Sequence, residues 1–176
     1  MSKLAKRKEP GSSLGMSGFY RVNVVDPDGR VKGDSGWKKN LIPFQGLLQY
    51  VVYRFATNAA SAPVPQYMML GSLESTLATN STSLYGEYTK STHYAAIGAT
   101  SNITTAYPSM TNRFYATFPS NWLITVSGAS TIGCIGLYCT TGASSIFCGG
   151  SFASSTLGSN QAVNCTYDIV WTASAA

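Results

Sequence analysis

A helical period shows in only one stretch of this chain, residues 37–55 (WKKNLIPFQGLLQYVVYRF). Pro43 suits a first helical turn, where the missing N–H costs nothing. Phe44, Leu47, Leu48, Val51, Val52 and Phe55 then recur at helical spacing. That spacing predicts an amphipathic helix with these six on one face and Gln45, Gln49, Tyr53 and Arg54 largely on the other. Such a helix must lie on something flat and apolar, and most of the chain after residue 55 reads as β-strand. The expected fold is therefore mainly β: an antiparallel β-sandwich-like domain, one amphipathic helix packed on it, and an extended N-terminal arm.

Residues 19–25 (FYRVNVV) read as a strand, and Asp26-Pro27-Asp28-Gly29 as a tight turn with residues 30–32 returning from it. Residues 66–71 read as a buried strand. Residues 72–86 and 98–109 read as loops, with an extended pattern between them from residue 87 to 97. Residues 110–118 alternate, with Phe114, Ala116 and Phe118 opposite Arg113, Tyr115 and Thr117. Residues 131–139 and 146–152 are apolar but carry internal glycines, which mark bulges or places where another backbone comes close. The last strand, residues 162–172, sets Val163, Cys165, Tyr167, Ile169 and Trp171 on one face. No repeat of fixed period occurs, which argues against a solenoid or propeller.

These elements divide the chain into two regions. Residues 1–36 are a basic arm with a short hairpin, read as an anchor, and residues 37–176 are the helix-capped β-sandwich. Ten of the twelve Lys and Arg fall within residues 1–54, against four acids, so only the front of the chain is cationic. Lys3, Lys6, Arg7 and Lys8 form a cluster able to meet an acidic protein surface or nucleic acid. Charged residues are 11% of the chain and aromatic residues 12%, a hydroxyl-rich and not an ionic surface. No apolar run approaches the ~18 residues of a membrane-spanning helix, and the basic start has no hydrophobic segment behind it, so synthesis in a cytoplasm is expected.

The chain is poorly equipped for catalysis. It has one histidine, His93, and seven carboxylates without close pairs, whereas acid–base chemistry needs a positioned His or two carboxylates of separated pKa. No G-x-S-x-G elbow or phosphate-binding glycine loop occurs. Cys134, Cys139, Cys148 and Cys165 lack a C-x-x-C pair, which argues against zinc and favours buried free thiols, with one disulfide open if maturation is oxidising. Sequons at Asn80, Asn102 and Asn164 are assigned no glycans. Neither cofactor nor metal is expected, and no enzymatic activity.

Several short motifs recur together. Trp37-Lys38-Lys39-Asn40-Leu41 precedes Gly46-Leu47; Met68-Met69-Leu70-Gly71 precedes Leu84-Tyr85-Gly86-Glu87; then come residues 113–119 ending in F-P, residues 132–138 ending in G-L-Y, residues 146–152 ending in F, and residues 163–171. In this the chain resembles a loose family of virion structural proteins of tailed bacteriophages with decoration or fibre roles. It departs at Cys134-Ile135, where the family carries an acid, and at Lys90, where it carries Arg.

The resemblance implies a multi-copy structural protein of the virion, binding major capsid or tail proteins of the same particle, with no membrane association. Within it, head decoration or cementing comes first, Lys3, Lys6, Arg7 and Lys8 serving as anchor. A tail-fibre or collar component touching the host surface or adaptor proteins comes second. A small icosahedral coat protein whose arm binds nucleic acid comes third. Trp37, Asn40 and Leu41 are read as the lead-in to the helix, with a folding role.

Overall fold

A computed structural model gives the fold and describes residues 13–48, 65, 67–88, 94–96, 104–106, 113–124, 130–139, 146–158 and 160–174. Two antiparallel sheets pack face to face. The larger runs β2 (Val31–Asp34), β1 (Ser13–Val25), β10 (Gln161–Ser174), β7 (Arg113–Ile124) and β6 (Thr104–Ala106), with β3 (Lys38–Lys39) also paired to β1. The smaller runs β5 (Tyr94–Ala96), β4 (Tyr67–Gly71), β8 (Ser130–Tyr138) and β9 (Ile146–Leu157).

Alternation dictates the core. Tyr20, Val22 and Val24 of β1, with Val163, Cys165, Tyr167 and Ile169 of β10, point inward onto Leu70 of β4, Ile135 and Leu137 of β8, and Cys148 and Phe152 of β9. Trp171 continues the β10 stripe and packs against this core partly buried. The turn after β1 forms as its residues require, Gly29 N donating to Asp26 O at 2.9 Å. β7 forms where alternation predicts a strand; its side chains lie outside the described set.

β8 from Ile132 onward and β9 as far as Gly150 do not alternate between buried and exposed, because both their faces are covered there. Met69, Cys134, Tyr138 and Ile146 point away from the larger sheet, and Leu77 and Leu84 of the segment 72–86 close over them. That segment returns to its own start, Ser72 N donating to Gly86 O at 2.9 Å and Gly71 bridging Glu87, so it is an Ω-loop laid on the sheet as a third layer. At Gly133 a bulge breaks the β8–β9 register, and a Cβ there would stand 2.7 Å from the Glu74 backbone nitrogen. The internal glycine thus marks both a bulge and a close backbone approach.

Two expectations need correction. Residues 13–17 belong not to a free arm but to β1, which pairs residue by residue with β10 from Ser13↔Ser174 onward. As far as the residues are described, α1 is Phe44–Leu47, with Leu48 still in helical conformation, and Pro43 is its extended N-cap and not within its first turn. The first two members of the expected apolar stripe, Phe44 and Leu47, are 66% and 40% exposed, while Gly46 is buried. The rest of the predicted helix, residues 49–55, lies outside the described residues, as does His93.

Candidate functional site

The expected helix lead-in is a clasp between the two sheets. Lys38 and Lys39 pair with Tyr20 and Phe19 of β1, and Asn40 N donates to Gly18 O at 2.9 Å. One residue later the chain changes sheet: Leu41 N donates to Gly149 O at 2.9 Å and Gly149 N to Leu41 O at 3.0 Å. The backbone of Asn40-Leu41 therefore ties β1 to β9. Trp37 stands outside the clasp, 51% exposed.

Asn40 is 8% exposed and carries the clasp's polar group inward. Its amide faces the Cys148 thiol and the Tyr167 hydroxyl closely enough to influence both, without a well-formed hydrogen bond to either. Tyr167 OH donates instead to Ile135 O at 3.2 Å and Tyr20 OH to Ser151 O. The Tyr20 and Tyr167 rings lie 5.5 Å apart, centroid to centroid. Burial pushes both phenols and all four thiols up. A nucleophilic cysteine needs the thiolate, so these thiols are packed groups and not activated ones. All four are free and buried, as their spacing led us to expect.

A cleft of about 230 Å³ opens where β2 and β3 face β9. Val22, Val24 and Phe152 floor it, and Asp34, Lys38 and Ser155 are on its rim. Asp34 is held by Arg21 through two bonds, Nε to Oδ1 at 3.0 Å and Nη2 to Oδ2 at 2.5 Å, and by Gly36 N at 2.8 Å. The guanidinium keeps its carboxyl below the usual range. Lys38 makes no ion pair among the described residues. The rim offers hydroxyls and one cation, but no acid–base couple.

The Ω-loop is latched by two carboxylates, Glu74 and the motif residue Glu87, to which sequence reasoning gave no such role. Glu74 Oε2 accepts from Ser154 N at 3.2 Å and Ser154 Oγ at 3.0 Å on β9. Glu87 Oε2 accepts from Tyr138 OH on β8, whose oxygen in turn accepts from Leu84 N at 2.8 Å. The signal was present in Leu77 and Leu84, apolar residues set in a hydroxyl-rich stretch. Replacing Tyr138 with Phe strands the Leu84 N–H and the Glu87 carboxylate. A loss of about 1–3 kcal/mol in urea unfolding is expected, with faster amide exchange at Leu84. Unchanged exchange there would show that the hydroxyl does not hold the loop.

Of the other sequence-predicted residues, Lys3, Lys6, Arg7 and Lys8 lie outside the described residues. Asn40 and Leu41 are brought together with Gly149, and Trp37 is not. Among the described residues no group of three His, Cys, Asp or Glu is placed to hold a metal ion, and no helix is long and apolar enough to cross a membrane. No family model, curated protein or solved structure matches this chain.

Proposed function

We propose that this is a non-enzymatic structural protein of a tailed-phage virion, decorating or cementing the head by binding the major capsid protein in many copies. The observation that carries this reading is where the carboxylates go. Asp26 holds Lys32 and Gln161, Asp28 holds Arg30, Asp34 holds Arg21, Glu74 holds Ser154 and Glu87 holds Tyr138. Each of these five serves the fold, and a catalytic pair would instead need two carboxylates facing each other across a cleft. The motif resemblance supplies the phage assignment.

The anchor has a mechanical rationale as well. The cationic residues precede β1 in the sequence by a few residues, and β1 is paired along its whole length with β10. A pull on the arm along the strand would load that ladder in shear, so many hydrogen bonds would share it.

Reversing the four cations (K3E, K6E, R7E and K8E together) is expected to weaken attachment to particles about 10- to 100-fold, from ~0.5 kcal/mol or more per surface pair. Cryo-electron microscopy of the particle gives the decisive count. Hundreds of copies on the outer shell, with residues 3–8 against another shell protein, are expected. An arm running into packaged genome would replace this reading with the coat-protein one.

A fibre or collar role is the second reading, favoured by Leu73 and Tyr85, both exposed at the two ends of the Ω-loop. A handful of copies at the tail vertex, with host adsorption lost on Tyr85→Ala, would put it first.

A further inference from the structure

The described residues treat the two outer faces of the sandwich differently. Over β8 and β9 the Ω-loop lies as a lid, whereas no described element covers the outer face of β1 and β10. There the outward positions Phe19, Arg21, Asn23, Asn164, Thr166 and Val170 are all half-buried. Charge is sparse on these two strands: Arg21, already ion-paired to Asp34, and Asp168.

We infer that this face is where a second copy of the chain docks, as an isologous pair related by a two-fold axis lying in the interface. Residues 162–172 of β10 have partners on both sides, in β1 and in β7. Three such strands present a face of roughly 37 Å by 14 Å. Two copies would cover on the order of 1,000 Å² in all, the lower bound of specific interfaces and enough for a concentration-dependent dimer.

The register supplies the self-complementarity. Asn23, Asn164 and Asn121 occupy one row across β1, β10 and β7. A two-fold axis along that row sets Asn164 against its own copy, and a primary amide, being both donor and acceptor, can pair with itself. Asn164, at the centre of the row, has its Oδ1 enclosed without a hydrogen bond. Turning that amide toward a donor on the docked copy would relieve the cost of the orphaned acceptor. This gives the multi-copy reading a surface, but it rests on the sheet alone and stands whether or not the particle is a phage.

Sedimentation velocity of the full-length protein over a range of concentrations tests it. A monomer–dimer equilibrium is expected, weakened at least about tenfold by Asn164→Arg, which sets two like charges on the axis, and unaffected by Thr76→Arg on the Ω-loop. If Asn164→Arg proves misfolded by circular dichroism, Thr166→Arg replaces it. Asn164→Cys provides an independent readout, because the four native thiols are buried: a bis-maleimide of about 10 Å reach, the spacing of face-packed sheets, should yield a covalent dimer through the new cysteine alone. A protein monomeric at every concentration overturns the inference. So does a dimer that tolerates Asn164→Arg and fails to cross-link through Asn164→Cys. Either result leaves the copy number on the particle to be decided separately.

Discussion

Gly46→Ala is expected to destabilise the protein by about 3 kcal/mol or more, lowering the melting temperature by roughly 6–12 °C. The turn α1 approaches β9 backbone to backbone, and a Cβ at position 46 would sit 1.9 Å from the Phe147 carbonyl oxygen. A flexible side chain could swing aside, but this carbonyl is backbone of the bulge held between the Tyr138↔Ile146 and Leu137↔Cys148 pairs, and it moves only if the strand moves with it. The companion variant Phe44→Ser should change stability by no more than about 0.5 kcal/mol, since that ring is 66% exposed. Thermal and urea melts of the two side by side give the answer. A larger loss from Phe44→Ser than from Gly46→Ala would mean that the turn presents its other face to the sheet.

The second large effect is alkaline lability. Burial pushes the thiols of Cys134 and Cys139 up to about 11, and raises those of Cys148 and Cys165 as well. Tyr20, Tyr138 and Tyr167 are raised as well, chiefly by the same desolvation. These groups stay protonated in the folded state at a pH where the unfolded chain has already lost its thiol protons. The stability is therefore intact below about pH 9 and is lost as pH rises toward the folded-state values. Each thiol contributes at most about 1.4 kcal/mol per pH unit across that window, so four give an upper limit near 5 kcal/mol per unit. That slope would exhaust the stability of an ordinary domain between about pH 10 and 11.

In reducing buffer, thiolate and tyrosinate absorbance should appear together with the loss of circular dichroism. Native protein should leave its thiols unreactive toward a disulfide reagent until urea is added. Thiolate signal growing while the dichroism stays native would show that the cysteines ionise in place.

These effects sort by how local their causes are. Strands β1, β8, β9 and β10 were legible because the signal, apolar alternation or an apolar run, lies within each strand. The Asp26-Pro27-Asp28-Gly29 turn was legible for the same reason. Residues 13–17 were passed over: Leu14 and Met16 keep the even-numbered alternation of Tyr20, Val22 and Val24, but the serines and glycines around them read as an arm, and it is the pairing with β10 that shows them to be strand. The periodicity of Phe44 and Leu47 announced a helix but not its orientation, which is set by the one residue small enough to touch Phe147.

The clasp was half legible. Asn40 and Leu41 stood out as a folding element, but that they join two sheets depends on Gly149, far along the chain. The carboxylate latches of the Ω-loop were invisible in the same way: Glu74 and Glu87 read as scattered acids until Ser154 and Tyr138 are seen opposite them.

The pairing of β1 with β10 sets a timetable for the protein's birth. Two neighbouring strands of the larger sheet are the first and the last of the described strands, so that sheet cannot close until Gln161 to Ser174 has left the ribosome. At ~5–20 residues per second, β1 waits on the order of 10–30 s for its main partner. During that wait its inward residues Tyr20, Val22 and Val24 have only the short segments β2 and β3 of their own sheet to pair with. The low charge of the later strands gives them little protection from intermolecular pairing, and the cations of the leading residues, which repel their like on neighbouring nascent chains, are well placed to supply it.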